Sequence, residues 1–308
     1  MLTTGLAAML LALAMTACSS GDDAAAPSVQ PGGDCPAEPV SVVVSVDQWG
    51  DIVSQLGGQC AKVSTVVASS SVDPHDFEPA PKDAALFEGA QLIVVNGGHY
   101  DEWASKLAAS SAADAAVVNA LEVSGSADAG EANPHAWYNP AAVTAVADAV
   151  SAELVDLAPD AADYFAERQA EVSDALAPYH QVIGSIKATA SGKTYAATES
   201  VFDDMAAAVG LTNRTPQGYQ VAAANESDPS PADLDAFLRL LSDRGVDVLI
   251  YNVQTEGSVP QQIRSAAEQA GVPVVEVTES MPPDAASFQT WQVDQLSALA
   301  EALGVGGG

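Results

Sequence analysis

Two short turns, each with one histidine flanked by prolines, carry the residue types best suited to metal chemistry in this sequence. The first is residues 73–79, DPHDFEP, and the second is residues 133–140, NPHAWYNP. Proline fixes its own φ and restricts the residue before it. His75 and His135 should therefore be held in fixed directions. Because the chain has only 4 histidines in 308 residues, this placement suggests a metal site built from distant loops.

The elements that position these turns are predicted from alternating strand-like and helix-like patterns. This alternation occurs in both halves of the chain and predicts an α/β fold with two parallel-sheet domains. Asn139 and Pro140 have the residue types of a helix N-cap and first helical position. The longest helical pattern, residues 160–188, could reach roughly 40 Å and should connect the two halves. Pro178 should kink this helix or end its first part. The predicted strands are residues 40–46, 63–68, 91–95, 116–121, 193–198, 246–251 and 273–277.

The same patterns predict a division of the chain into five segments. A signal peptide and a flexible tether precede two α/β domains joined by a connecting helix. The predicted bounds are 1–17 for the signal peptide, 18–38 for the tether, 39–158 for the N-terminal domain, 159–190 for the connecting helix and 191–308 for the C-terminal domain.

Four potential metal ligands follow predicted strands, where ligands bind in open parallel sheets. His75 and His135 follow strands of the first half, and Glu199 and Glu279 follow strands of the second half. A site made from all four would lie in the cleft between the domains. Neutral imidazole together with carboxylate suits zinc, manganese or iron(II).

Polar neighbours could support such a site. A ligating histidine usually donates its other ring N–H to an oxygen, and Asp73, Asp76 or Glu78 could accept it. Asn133 and Asn139 could brace the His135 turn. His99 follows another strand and is a candidate for contact with the ion or for the cleft rim.

Each candidate ligand also has a purely structural interpretation. A single histidine in a proline turn is more often a hydrogen-bonded turn residue, and a glutamate after a strand is more often a helix cap or a solvated charge. Four such residues at equivalent strand ends favour one shared site over four coincidences.

The charge balance argues against partners that are themselves strongly negative, namely nucleic acid and anionic lipid. The chain has 41 acidic and 10 basic residues, a formal net charge of −31. It therefore offers no basic surface to neutralise the phosphates of nucleic acid or the headgroups of anionic lipid. A solvated acidic surface that maintains solubility accounts for most of these charges.

The N-terminal residues predict export. Residues 6–15 form an apolar run of signal-peptide length, too short to span a bilayer as a helix. Residues 15–18, MTAC, resemble the lipobox of bacterial lipoproteins, in which lipid is attached to the cysteine, here Cys18. An ordinary secretory signal cleaved elsewhere is the alternative. Residues 19–33 have the composition of a flexible tether.

Once Cys18 is assigned to the lipid, the two remaining cysteines are Cys35 and Cys60. An even pair in an exported protein predicts a disulfide. Two free thiols or a metal-binding pair are the alternatives, and their spacing, far from C-x-x-C, disfavours the metal pair.

Four segments carry a resemblance to a known family. Residues 73–79 resemble the first ligand motif of the zinc/manganese solute-binding lipoproteins of bacterial ABC importers (cluster A-I), and residues 133–137 resemble the second. Residues 198–202, TESVF, are similar to the third motif, where zinc-type members usually have His and manganese-type members often have Glu. Residues 277–280 lie where the family usually has Asp. The resemblance runs from about Val40 to the C-terminus.

This resemblance implies a fold and a function. It implies two α/β domains joined by a long, stiff helix, with a metal ion bound at their interface by His75, His135, Glu199 and Glu279. It implies a monomer, held by lipid at the outer face of the cytoplasmic membrane, that captures Zn²⁺ or Mn²⁺ and delivers it to an ABC permease. Protonation of both histidines near pH 6 should weaken binding.

The choice of metal and two other functions stay open. Glu199 and the lack of a His-rich loop before the second motif favour manganese, whereas two nitrogen and two carboxylate ligands favour zinc in most geometries. A secreted metal-dependent hydrolase would use one carboxylate, such as Glu279, as general base on a metal-bound water. A surface attachment protein would hold a purely structural metal.

Overall fold

The architecture consists of two four-stranded parallel sheets with helices packed around them. It is seen in a computed structural model that describes residues 34–68, 72, 74–125, 133–225, 227–255 and 257–305. The strands are β1 (Val40–Val46), β2 (Ala61–Val67), β3 (Leu92–Val95), β4 (Ala116–Asn119), β5 (Thr194–Ala197), β6 (Thr212–Asn213), β7 (Val248–Asn252) and β8 (Val274–Val277).

The two sheets have the same strand order. The first is β2-β1-β3-β4 and the second is β6-β5-β7-β8. Three of the four inner strands, β1, β3 and β7, are runs of mainly β-branched and other apolar residues buried along nearly their whole length. Such continuous apolar runs are expected of parallel strands covered on both faces. The prediction of an α/β fold with two similar parallel-sheet halves is confirmed.

Five helices accompany the first sheet, two follow it, and five accompany the second sheet. They are α1 (Asp47–Gly57), α2 (Pro81–Phe87), α3 (Glu102–Ser111), α4 (Ala120–Val123), α5 (Pro140–Leu157), α6 (Ala162–Ala175), α7 (Ala177–Thr189), α8 (Asp203–Ala208), α9 (Gln217–Ala224), α10 (Pro231–Ser242), α11 (Ser258–Ala270) and α12 (Phe288–Ala302). Among these described helices, none combines the length and the apolar character needed to cross a membrane.

The predicted connecting helix is two consecutive helices. α6 ends at Ala175, Leu176 interrupts the helical run, and α7 contains Pro178 in its first turn. Proline is tolerated there because that N–H has no partner within the helix. The prediction that Pro178 kinks the helix or ends its first part is confirmed. The bounds 39–158, 159–190 and 191–308 for the two domains and their connection remain predictions.

One predicted strand, residues 116–121, extends into a helix. Residues 116–121 were assigned to a strand, but β4 ends at Asn119 and α4 begins at Ala120. The cause is local, because the Asn119 side chain accepts a hydrogen bond from the Glu122 backbone N–H at 3.2 Å and so caps a helix. An N-cap of this kind satisfies a backbone donor that the strand would leave open.

The two halves share one hydrophobic core. A single cluster of buried residues includes side chains from β1, β3, β5 and β7 and from the connecting helices. Helix α12 of the second half packs against α7 and also reaches α1 of the first half. The Asp51 carboxylate of α1 accepts a hydrogen bond from the Phe288 backbone N–H at 2.7 Å and so caps α12. The first and second halves are called the N-terminal and C-terminal lobes below.

A disulfide between Cys35 and Cys60 joins the segment before β1 to the turn before β2, as the sequence predicted. Its two cysteines are 25 residues apart. Closing a loop of this length removes conformational freedom from the unfolded chain. We expect the variant Cys35→Ala/Cys60→Ala to lose about 3 kcal/mol of unfolding free energy in urea denaturation. A loss below about 1 kcal/mol would contradict a stabilising role for this bridge. Cys18, the predicted signal peptide and residues 18–33 of the tether lie outside the described residues.

Candidate metal centre

Three predicted ligands come together at the carboxyl ends of the two sheets. The ligand atoms of His75, His135 and Glu279 all lie within 4.8 Å of one another. Glu279 Oε1 is 3.8 Å from His75 Nε2 and 3.8 Å from His135 Nε2. The side chains are 21%, 8% and 16% exposed, respectively. Two imidazoles from the N-terminal lobe therefore face one carboxylate from the C-terminal lobe in a mostly buried cleft.

The spacing of these atoms suits a small divalent ion. Zinc bonds of 2.0–2.2 Å place tetrahedral ligand atoms about 3.4 Å apart. The observed separation of 3.8 Å from Oε1 to each Nε2 is close to that value. Movements of a few tenths of an ångström would bring the three atoms to bonding distance. The structure thus holds these ligand atoms nearly in the arrangement that coordination requires.

Glu199, the fourth predicted ligand, does not belong to this group of three. Its side chain is half-buried, and its Oε2 accepts a hydrogen bond from Asn252 Nδ2 at 2.6 Å. Its turn nevertheless adjoins the site, because Asn133 Nδ2 donates to the carbonyl oxygen of Ser200 at 2.8 Å.

Asn133 also fixes the His135 ring. The Oδ1 of Asn133 accepts the His135 backbone N–H at 3.1 Å and lies 2.7 Å from His135 Nδ1. With Nδ1 donating its proton to Asn133, the lone pair of Nε2 is available toward Glu279. A neutral imidazole held in this tautomer is the form that binds a metal.

Protonation of His135 does not occur near pH 6. Burial, followed by the nearby charge of His75, lowers the pKa of His135 from 6.5 to about 3. The prediction that this imidazole titrates near pH 6 is therefore wrong, because the sequence did not reveal how deeply the ring is buried. His135 should stay in its neutral, ligating form throughout mildly acidic conditions.

The bracing role of Asn133 leads to a prediction. Asn133→Ala removes the oxygen that orients His135 and should weaken zinc binding 10- to 100-fold, as loss of such supporting groups typically does. Competition with a zinc-sensitive dye measures this affinity. Asn225→Ala, at an exposed asparagine of the described chain, is the control and should leave the affinity unchanged. Equal affinities for Asn133→Ala and wild type would show that Asn133 does not orient the ligand.

Tyr100 is a site residue that sequence reasoning missed. Its buried ring lies edge-on to His75, with centroids 4.7 Å apart. Its hydroxyl accepts from Gln48 Nε2 at 2.8 Å and is hydrogen-bonded to the Glu279 carboxylate. Burial, then the charge of Glu279, raises the pKa of Tyr100 well above 10. The phenol is therefore a neutral donor that helps hold the Glu279 carboxylate in place.

A buried aspartate fastens the loop that carries Tyr100. Asp101 accepts from Ser45 Oγ at 2.5 Å and from the backbone N–H groups of Asn96 and Gly97 at 2.6 and 2.8 Å. Asn96 Nδ2 in turn donates to the carbonyl oxygen of Pro134 at 2.7 Å. The end of β1 and the loop after β3 are thus connected to the His135 turn.

A glycine is required at one point in this loop. Gly97 has φ +93, and a Cβ there would lie 2.1 Å from Asn119 Oδ1. The segment GGHYD, residues 97–101, follows a buried strand and was the sequence signal for this loop. The sequence analysis selected His99 from it as the candidate site residue, not Tyr100. His99 is exposed and stands apart from the three clustered ligands.

Among the described residues, three hydrogen bonds run from side chains of the N-terminal lobe to the backbone of the turns that carry the predicted glutamate ligands. In each one, a side chain of the N-terminal lobe donates to a backbone carbonyl of the C-terminal lobe. The pairs are Asn133 Nδ2 to Ser200 O at 2.8 Å, Gln48 Nε2 to Glu279 O at 3.1 Å and Tyr138 Oη to Thr278 O at 2.6 Å. The cleft geometry is therefore set by both lobes together.

The remaining predicted supporting residues are placed as follows. Asp76 and Glu78 are exposed, and Asp73 lies outside the described residues. Asn139 caps α5 by accepting from the backbone N–H groups of Ala141 and Ala142. Support of the ion by Asp73, Asp76, Glu78 or Asn139 remains a prediction.

Fold and site together define a class. Two α/β lobes with the same strand order, a pair of connecting helices and a candidate metal cluster where both sets of strands end are the features of a two-lobed solute-binding protein.

The comparisons with known proteins name the family within this class. The family described as "Zinc-uptake complex component A periplasmic" matches residues 42–302. Because this match covers most of the chain, the protein belongs to that family. The sequence-based assignment to the zinc/manganese solute-binding proteins is confirmed.

Individual relatives are distant. The chain is 27% identical over 173 residues to the manganese-binding lipoprotein MntA of Halalkalibacterium halodurans, a match that covers 54% of this chain and about half, 53%, of MntA. It is 23% identical over 255 residues to the high-affinity zinc uptake system protein ZnuA of Bacillus subtilis, covering 77% and 78% of the two chains. The periplasmic zinc-binding protein TroA of Treponema pallidum has the same fold, with a TM-score of 0.70, 18% identity and coverage of 86% and 98%.

Proposed function

We propose that this protein captures zinc or manganese outside the cytoplasmic membrane and delivers the ion to the permease of an ABC importer. The observation that carries the proposal is the position of Glu279 Oε1, 3.8 Å from the Nε2 atoms of both His75 and His135. Membership of the zinc-uptake family supports it. Relatives named as manganese-binding and zinc uptake proteins support both candidate metals.

The proposed ligand roles are these. His75 and His135 supply ring nitrogens, and Glu279 supplies a carboxylate oxygen between them. Glu199 supplies a second carboxylate from the turn beside Ser200, which Asn133 ties to the His135 turn. Two nitrogens and two carboxylates neutralise a divalent charge and fit zinc or manganese.

The anchor is a separate part of the proposal. Lipid on Cys18 would hold the protein, as a monomer, at the outer face of the membrane near its permease. The naming of relatives as lipoproteins supports this placement. Expression of wild type and Cys18→Ala in a bacterial host tests it. Membrane fractions should retain only the wild type, and equal retention of both would refute the lipid anchor.

A transport role predicts the absence of catalysis. Four protein ligands fill a tetrahedral zinc and leave no place for the activated water that a hydrolase needs. The zinc-loaded protein should therefore show no turnover of ester, peptide or phosphate substrates at neutral pH. A structural-metal role makes a different prediction, since chelation would then unfold the protein.

Calorimetric titration of the metal-stripped protein with zinc and with manganese tests the capture role. We expect one ion per chain, and a folded protein in circular dichroism both with and without it. Absence of binding for both ions, or binding of several ions with equal weak affinity at exposed carboxylates, would refute the proposal.

A further inference from the structure

The segment after β8 belongs to the C-terminal lobe by sequence but is fastened to helix α1 of the N-terminal lobe. At its start, Gln48 Nε2 donates to the carbonyl oxygen of Glu279 at 3.1 Å. At its end, Gln55 and Gln289 exchange hydrogen bonds between their side-chain amides at 2.9 and 3.1 Å. Gln48 and Gln55 lie on one face of α1, because they are separated by about two helical turns. This face of α1 therefore holds both ends of the segment that carries a predicted ligand.

Gln48 is the part of this contact that reaches the metal centre. Its side chain is only 1% exposed, and its Nε2 also donates to Tyr100 Oη at 2.8 Å. A side-chain amide nitrogen carries two protons, so Gln48 can serve both acceptors at once. A backbone carbonyl only accepts hydrogen bonds, and the amide of Gln48 must therefore turn its nitrogen, not its oxygen, toward Glu279.

The bond from Gln48 also sets the direction of the Tyr100 hydroxyl. A phenol has one proton to donate. Because Tyr100 Oη accepts from Gln48, that proton is available to the Glu279 carboxylate, to which the hydroxyl is also hydrogen-bonded. Gln48 thus acts on Glu279 twice, directly at its backbone carbonyl and through Tyr100 at its carboxylate.

The backbone of Glu279 is held from both lobes. Its N–H donates to Gln254 Oε1 of the C-terminal lobe at 2.6 Å, whereas its carbonyl oxygen accepts from Gln48 of the N-terminal lobe. Its Oε1 lies 3.8 Å from the Nε2 atoms of His75 and His135, which also belong to the N-terminal lobe. The contacts with Gln48 therefore place the Glu279 carboxylate relative to the lobe that carries both histidines.

We propose that Gln48 is a positioning residue that holds the Glu279 carboxylate facing His75 and His135. This inference rests on the proposed function, because it assumes that Glu279 binds the ion. It goes further by assigning part of the metal affinity to a side chain of the opposite lobe that is not itself a ligand. A ligand group held in its binding position raises affinity because the ion does not have to order it.

Competition with a zinc-sensitive dye on the metal-stripped protein tests the inference. Gln48→Met removes both donors at similar size and should lower zinc affinity about tenfold, as loss of a group that supports a metal ligand does. Gln55→Met is the matched control, since it breaks the contact with Gln289 on the same helix face and leaves the Glu279 contacts in place. Its zinc affinity should stay within about twofold of wild type.

A double-mutant cycle separates positioning from a general weakening of the lobe interface. Tyr100→Phe removes the hydroxyl through which Gln48 reaches the Glu279 carboxylate. In this background Gln48→Met should lower zinc affinity only about threefold, because only its bond to the Glu279 backbone is left to lose.

Three results would each overturn the inference. They are wild-type zinc affinity in Gln48→Met, an equal loss in Gln55→Met, and an undiminished tenfold loss in the Tyr100→Phe background. If Gln48→Met does not fold, Gln48→Leu, which also lacks a donor, takes its place with the same expected loss. Failure of the wild type to bind either zinc or manganese would instead refute the proposed function.

Discussion

Replacement of His135 by alanine should lower zinc affinity roughly 100- to 1,000-fold. Zinc sites of this size bind with about 10–16 kcal/mol, so each of four ligands contributes several kcal/mol. His135 is the most buried of the three clustered ligands, its ring is fixed by Asn133, and its pKa of about 3 keeps it neutral. Apart from His75, which is itself a proposed ligand, no described histidine belongs to this cluster.

The same chain provides the controls for this result. His99 and His180 are exposed, and alanine at either position should leave the affinity within about twofold of wild type. Competition with a zinc-sensitive dye at pH 7 measures all three variants. If His135→Ala kept wild-type affinity, or if His99→Ala lost as much, the site would have been assigned to the wrong turn.

Replacement of Glu279 by glutamine should have the second largest effect, a loss of roughly 100-fold in zinc affinity. The substitution keeps the shape of the side chain and removes its negative charge. That charge faces two imidazoles in a cleft where little solvent screens it, so its attraction for a divalent ion is strong. The backbone contacts of Glu279 with Gln48 and Gln254 remain, and the turn should keep its conformation.

Replacement of Glu279 by aspartate separates the effect of the negative charge from the effect of side-chain length. Glu279→Asp keeps the charge but withdraws the oxygens by one methylene, so we expect a smaller loss, about tenfold. Glu301→Gln, which removes an exposed charge near the C-terminus, controls for the net charge of the protein. If Glu279→Asp bound zinc more weakly than Glu279→Gln, the position of the oxygen would matter more than its charge.

Much of the fold was predictable because the residue types of the inner strands are themselves typical of buried β-strands. β1 matches its predicted bounds, Val40–Val46, since a run of valine and serine with no helix former has little alternative in a buried sheet. Ser230 caps α10, and Gly271 ends α11 in a left-handed conformation, and both residue types are favoured at these positions. Helices α3 and α9 were missed, because α3 is rich in alanine and serine, α9 ends in a run of alanine, and both have weak apolar periodicity.

The clustering of three candidate ligands was predictable, and so was the contact of Asn133 with the His135 turn, but the side chains that hold Glu279 were not. His75, His135 and Glu279 each follow a recognisable strand, and parallel strands bring their carboxyl ends to one edge. Gln48 and Tyr100 lie near the starts of α1 and α3, where an isolated sequence gives no hint of their partners. Their contacts with Glu279 depend on how the two lobes dock, which no local pattern encodes.

Glu199 also shows that sequence patterns do not reveal contacts between distant residues. Its position after β5 was sufficient to nominate it as a ligand, and its turn does adjoin the His135 turn through Asn133. The hydrogen bond that its carboxylate accepts from Asn252 involves a residue 53 positions away along the chain, which no local pattern encodes.

Anomalous diffraction at the zinc edge, from crystals of the zinc-loaded protein, tests the central claim most directly. The account predicts one strong peak per chain in the cleft, about 2.0–2.2 Å from the Nε2 atoms of His75 and His135 and from an oxygen of Glu279. A peak bound only by exposed carboxylates, or a cleft without a peak while zinc is bound elsewhere, would contradict it.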